Sequence, residues 1–159
     1  MKLHLLRHAK TNPTSPSGLD FDRELMPRGY EQLQEFKAFF SEHPFQVGQI
    51  LCSSAQRTRQ TLEEIKGLFA DVAVTFSDEL YMASSDEMLQ IINQLQCAED
   101  LLVIGHNEGI SVLGFELTND ILLLKTAGYA GIEFEFEHSG YISKRTGTTL
   151  RTFRVRGLN

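Results

Sequence analysis

Apolar positions along the chain form short runs and helical stripes that alternate with each other. Leu3, Leu5 and Leu6 make a run that stops at Arg7-His8. This predicts a buried first strand whose carboxyl end opens into solvent. Residues 11–25, broken by Pro13, Pro16 and Gly18, read as a long surface loop. From Pro27 onward Tyr30, Leu33, Phe36, Lys37 and Phe40 recur at helical spacing, with the stop near His43-Pro44. Residues 49–52 form a second strand, and Ser53-Ser54-Ala55-Gln56 has the S-x-x-Q form of a capping box. Ser53 would then cap a helix that carries Arg57 in its first turn and runs through Leu62, Ile65, Leu68 and Phe69. Residues 72–76 alternate as a third strand.

Ser84-Ser85-Asp86-Glu87 is a second capping box, opening a helix with Met88, Ile91, Ile92 and Leu95 as its stripe. Residues 101–104 are the most strand-like run, ending in Gly105-His106-Asn107-Glu108-Gly109 before a helical segment through Leu117. In residues 131–137, Ile132, Phe134 and Phe136 alternate with Glu133, Glu135 and Glu137. Phe153 and Val155 alternate with Arg154 and Arg156. If these segments pair antiparallel across a loop over 140–149, opposite charges face each other on the solvent side, at about 0.2–1 kcal/mol per pair. The order predicts an α/β fold: a three-layer α/β/α sandwich with a mostly parallel, mixed sheet.

Composition narrows the class. A chain of 159 residues with 42% hydrophobic and 23% charged content fits one domain over residues 1–159, with no need of a disulfide or metal staple. No run approaches a membrane span or a signal peptide, and two widely spaced cysteines suit a reducing compartment, so a cytoplasmic monomer is expected. Net charge −6 argues against nucleic acid, so any anion site must be a local cationic pocket.

Three predicted strand ends supply such a pocket: Arg7 with His8, Ser53 with Arg57, and His106. In an open α/β sheet the ligand crevice lies outside these ends. Two guanidinium forks can grip the oxygens of a phosphoryl group, and a helix first turn behind Ser53 adds N–H groups. A neutral imidazole can attack phosphorus while a second stabilises the equatorial oxygens, and neither needs a metal or other cofactor. Asn107 follows His106 at the same rim. Arg23 and Lys10 either rim the pocket or are loop charges.

Leu6-Arg7-His8-Ala9-Lys10, Arg23-Glu24-Leu25 with Gly29 following, Ser53 with Arg57-Thr58-Arg59-Gln60-Thr61, Glu79-Leu80-Tyr81 and Val103-Ile104-Gly105-His106-Asn107 together resemble the histidine phosphatase, or phosphoglycerate mutase-like, superfamily. The short outline and Thr126-Ala127-Gly128 are most similar to its SixA-type phosphohistidine phosphatase branch. The resemblance implies that His8 is the nucleophile, forming a phosphohistidine that water hydrolyses. Arg7, Arg57 and His106 would complete the phosphate pocket, and Ser53, Asn107, Arg23 and Lys10 are candidate substrate contacts. Relatives with alkoxide leaving groups carry a glutamate acid after the third strand. Here that place reads Asp78-Glu79-Leu80-Tyr81-Met82-Ala83, short and without the motif. A phosphoramidate's imidazole leaves more readily than an alkoxide, which points to phosphohistidine protein as substrate and inorganic phosphate as product, in phosphorelay or phosphotransfer signalling.

Two other readings stay open: a phosphomonoesterase for a small metabolite, and a phosphate-binding interaction module without turnover. Other residues read as structural. His4 packs in or beside the first strand. Cys52 belongs to the core, because a Cys-x5-Arg thiolate site would need arginine where Thr58 stands. Asp20-Phe21-Asp22 lacks the apolar strand that leads into an aspartate nucleophile. Arg151, Arg154 and Arg156 read as a solvated face.

Overall fold

The computed structural model of the chain describes residues 1–157. Its centre is β1 (Lys2–Arg7), whose Leu3, Leu5 and Leu6 are fully buried because both faces of the strand are covered. Then follow α1 (Pro27–Glu42), β2 (Gln49–Ser53), α2 (Gln56–Ile65), β3 (Ala73–Ser77), α3 (Ser85–Gln94), β4 (Leu101–Gly105), α4 (Gly109–Thr118), β5 (Tyr129–Glu133) and β6 (Thr148–Phe153). The six strands lie in the order β3-β2-β4-β1-β5-β6. The first four are mutually parallel, β5 pairs antiparallel with β1, and β6 pairs antiparallel with β5. This is the mostly parallel, mixed α/β sheet that the order of elements predicts, with helices on both faces.

Alternate side chains of the strands feed two cores. Leu3, Leu5, Leu51, Leu101 and Val103 pack with Met88 and Ile92 of α3 and Ile110 and Leu113 of α4. Leu6, Ile50, Cys52, Leu102 and Ile104 pack with Leu33 and Phe36 of α1 and Leu62 and Ile65 of α2. Parallel strands set their carboxyl ends at one rim, so β1, β2 and β4 present Arg7, Ser53 and Gly105 side by side. His4 is buried against Phe45, its ring stacked at 4.0 Å, with Nδ1 2.7 Å from the Tyr129 hydroxyl. Cys52 is buried, and burial pushes its thiol up to about 12.

The Ser84 capping box forms as expected, with Ser84 Oγ accepting the Glu87 N–H and Glu87 Oε2 accepting the Ser84 N–H. The Ser53 box does not. Ser53 is the last residue of β2, Ala55 is the N-cap of α2, and no side chain caps that helix. The hydroxyl is engaged elsewhere, as described below. The helix also ends earlier than its stripe suggests, closing at Ile65 with a 3-10 turn over Lys66–Leu68.

The expected charge ladder between the last two strands is absent. Strand β5 spans Tyr129–Glu133, because the N-terminal ammonium takes the carbonyls of Phe134 and Phe136 at 3.1 and 2.6 Å and draws the chain off the ladder. At the other end α1 holds the Arg154 to Arg156 segment, with Arg156 N–H donating to Glu35 and Arg28 donating to the Arg156 carbonyl. Strand β6 ends at Phe153, and Glu133 stands opposite Thr148, not an arginine.

Candidate active site

The rim gathers the residues that the sequence had scattered. The main chain of His8 is clamped on both sides, its N–H donating to the Gly105 carbonyl at 3.1 Å and its carbonyl accepting the Ala127 N–H at 3.0 Å. The residue is 6% exposed, and Nδ1 donates to the Ala9 carbonyl at 2.7 Å. The proton of the neutral ring is therefore on Nδ1, and Nε2 carries a free lone pair. Burial, joined by the charges of Arg57 and Arg7, holds the imidazole well below its usual pKa, against the opposing pull of the Ala9 carbonyl. A neutral ring with a bare Nε2 is the state a nucleophile needs.

The His106 ring lies 5.4 Å from that of His8, centroid to centroid. Its Nε2 is 2.7 Å from Ser53 Oγ, and Oγ also accepts the Ala55 N–H at 3.4 Å. We assign the hydroxyl proton to His106 Nε2, which puts the ring's own proton on Nδ1. Burial, reinforced by Arg57 and opposed by Asp20, takes this histidine down to about 3. A bound phosphoryl dianion would oppose both effects.

Arg57 is 2% exposed, yet neither of its terminal nitrogens is idle. Nη1 donates to the Asp20 carbonyl at 2.8 Å and Nη2 to Asp20 Oδ2 at 3.1 Å. Arg7 Nη1 donates to the Leu124 carbonyl at 3.2 Å, and burial together with Arg57 lowers its pKa. Arg7 Nε, Arg57 Nε and His106 Nδ1 are buried nitrogens without a hydrogen-bond partner. Three such donors in one cluster are the reverse of ordinary packing, where buried polar groups are satisfied. An oxyanion is the ligand that would satisfy them.

The remaining candidates take different places. Ser53 meets His106 directly. Asn107 Oδ1 accepts the Ser111 hydroxyl, Ser111 Oγ accepts the Leu124 N–H, and Leu124 holds Arg7, so Asn107 reaches the cluster through a relay. Arg23 lies outside the pocket floor. It pairs with Asp20 at 2.9 Å and binds Thr11 and the Asn12 carbonyl, tying the loop together. Lys10 is held by its backbone, its N–H on Gln32 and its carbonyl accepting the Met26 N–H. No hydrogen bond or ion pair joins its ammonium to the cluster among the described residues.

Two residues given no site role from the sequence touch the cluster. Asp20, in a 3-10 turn over Asp20–Asp22, bridges Arg57, Arg23 and the Tyr81 hydroxyl, the last at 2.5 Å. Tyr81 stands edge-on to His106, 5.5 Å between centroids. The Tyr81 hydrogen bond, then Arg57 and Arg23, hold the Asp20 carboxyl down to about 2 against a burial effect that raises it. The local cue was the Asp20-x-x-Arg23 spacing, a side-chain pair that closes its own turn. Among the described residues no group of three or more His, Cys, Asp or Glu side chains is placed to hold a metal ion.

Comparison with known proteins places the chain in a family. The model of the histidine phosphatase superfamily, branch 1, matches residues 3–81. An uncharacterized Mycobacterium tuberculosis protein, Rv1276c, is 33% identical over 116 residues, covering 72% of this chain and 70% of its own. A solved structure assigned as phosphohistidine phosphatase SixA, from Nakamurella multipartitia, superposes with TM-score 0.82 at 25% identity, covering 96% of this chain and 95% of the other. A second of the same assignment, from Agrobacterium tumefaciens, gives 0.81 at 23% identity over 97% of each chain and shares the fold.

Proposed function

This chain belongs to the histidine phosphatase superfamily, and from that premise we propose that it removes phosphate from protein phosphohistidine through a covalent intermediate on His8, without a metal. Its class is that of a hydrolase, a phosphatase. We read residues 1–159 as one such domain, because β1 of the first half pairs with β4 and β5 of the second, and β4 pairs in turn with β2 of the first.

The reading rests on one observation. The His8 Nδ1–H is spent on the Ala9 carbonyl, leaving Nε2 bare in a cluster where Arg7 Nε, Arg57 Nε and His106 Nδ1 are buried without a partner. In the first step Nε2 attacks phosphorus and the substrate's P–N bond breaks. The phosphoryl charge then falls on Arg7 and Arg57, which bind it as forks, and on His106. Water attacks the phosphorylated His8 in the second step, releasing inorganic phosphate and restoring the lone pair.

The substrate follows from what stands near the mouth. Asp20 is ion-paired, with a pKa far too low to serve as an acid at neutral pH, and Tyr81 is raised above an ordinary phenol by burial and by Asp20. Neither suits an alkoxide leaving group. An imidazole leaving group does not require them. The setting that fits is phosphorelay or phosphotransfer signalling in the cytoplasm. Among the described residues no helix is long and apolar enough to cross a membrane.

The test is phosphate release from a phosphohistidine-bearing protein by wild type and His8→Ala, with chelator present, and recovery of labelled phosphate on His8. Turnover in chelator and a label lost in His8→Ala are expected. No label on wild type would reduce the chain to a binding module. Much faster hydrolysis of small phosphomonoesters would move the substrate to a metabolite.

A further inference from the structure

Asp20 presents an unusual inventory. An ionised carboxylate has about four acceptor positions. Arg57 Nη2 and the Tyr81 hydroxyl take two on Oδ2, and Arg23 Nε takes one on Oδ1. One position on Oδ1 remains. The side chain is 49% exposed, whereas that of Arg57 beneath it is 2% exposed. Asp20 therefore stands between the pocket floor and solvent, its charged oxygen fixed in place by groups from α2, from the segment after β3 and from its own loop.

We propose that this remaining acceptor is the leaving-group site: the Asp20 carboxylate takes a hydrogen bond from the distal ring N–H of a phosphorylated imidazole and keeps that nitrogen protonated while the P–N bond breaks. The inference rests on the phosphohistidine reading above and assigns its selectivity to one residue. A phosphorylated imidazole that carries a proton on its second nitrogen is a cation in its ring. As His8 Nε2 attacks, the P–N electron pair returns to the first nitrogen, and the product is neutral imidazole still protonated on the second. No proton has to be delivered during the step, so no acid is needed. What is needed is an anion that favours the protonated ring, and an ion-paired carboxylate is such an anion. A phosphoserine ester offers no N–H to that oxygen, and its alkoxide still lacks a proton. One group would thus both select the substrate and account for the missing glutamate.

The charged and titratable groups facing Asp20 are Arg57 from α2, Arg23 from its own loop, Tyr81 after β3 and His106 after β4. Because Asp20 also holds Arg57, its loss affects any substrate. The informative quantity is therefore the ratio of two rates measured on one preparation, which is independent of the folded fraction. Asp20→Asn and wild type are assayed across neutral pH on a phosphohistidine peptide and on p-nitrophenyl phosphate, whose leaving group needs no proton. Both rates should fall in Asp20→Asn, the phosphohistidine rate about tenfold further, the worth of one charge-assisted hydrogen bond. Its alkaline limb should move about one pH unit toward acid, with no such move on the aryl ester. Equal loss on both substrates with an unmoved limb would overturn the inference alone, leaving Asp20 as a positioning residue for Arg57. Wild type that cleaves the aryl ester but not the phosphohistidine peptide would overturn the substrate reading and this inference with it.

Discussion

Gly29 offers a test of how the scaffold holds the nucleophile. It sits in the first turn of α1, and a Cβ there would lie 2.3 Å from the Lys10 carbonyl oxygen and 3.2 Å from the Lys10 carbon and nitrogen. Lys10 is two residues beyond His8, and that same oxygen accepts the Met26 N–H at 3.0 Å. Alanine gains at most about 1 kcal/mol in helix propensity. Against this, opening a 2.3 Å contact to the 3.0 Å that real Cβ atoms keep pushes α1 off the strand-end loop. Overpacking of this kind costs about 1–3 kcal/mol, and loss of the Met26 bond about 1 more. The clash wins, and Gly29→Ala should lose about 1–3 kcal/mol. Gly67 is the matched control, since in its 3-10 turn a Cβ meets nothing within 4 Å. Gly67→Ala should gain about 0.4–1 kcal/mol through the unfolded chain. Urea unfolding reads both. The loop that moves carries His8, and a misplacement of order 1 Å can cost about a hundredfold. Phosphoenzyme formation by Gly29→Ala should therefore slow by about tenfold or more while Gly67→Ala keeps the wild-type rate. Gly29→Ala as stable as wild type, with an unchanged burst of phosphoenzyme, would refute the argument that α1 braces the His8 loop through Lys10.

Arg57→Lys keeps the charge but loses the fork that bonds Asp20 twice; single-turnover phosphoenzyme formation should fall about a hundredfold, and a fall under threefold would count against a bidentate role. Burial holds His4 at about 4 and His106 at about 3, so the unfolded chain binds more protons below its own pKa of about 6.5. Stability is then full above pH 6.5 and falls as the pH drops, by about 2 kcal/mol per histidine at pH 5, with Asp20 adding a loss below about pH 4 as it approaches about 2. Urea unfolding free energies equal at pH 7 and 5 would contradict this. Cys52→Ser should be less stable by about 1–3 kcal/mol, since it buries a hydroxyl in the second core, yet keep phosphoenzyme formation, and native Cys52 should resist alkylation at neutral pH.

What the sequence made legible, and what it hid, divides along sequence distance. Leu3 to Leu6, residues 101–104 and the Ser84 box announce themselves because burial on both faces of a strand, or a cap closing over three residues, is a local pattern. From the strands alone the convergence of Arg7, Ser53 and His106 could be argued, since parallel strands share a rim. Ser53 misled because S-x-x-Q is equally a cap and a strand end, and only His106, 53 residues away, decides between them. The charge ladder failed for a similar reason: the N-terminus and α1 compete for the two segments and stop both strands before the charges can meet. The Asp20-x-x-Arg23 spacing signals a local pair, but nothing local ties Asp20 or Tyr81 to the rim. Their contact spans 61 residues, and the Asp20 contact with Arg57 spans 37. Neither residue carries a periodicity or a cap, because each sits in irregular chain whose path depends on the finished sheet. The same irregularity gives these loops their use. A rigid rim can hold the nucleophile and its guanidinium forks, but a group that must distinguish one leaving group from another belongs on the segment that closes over the rim, where sequence can change without disturbing the sheet.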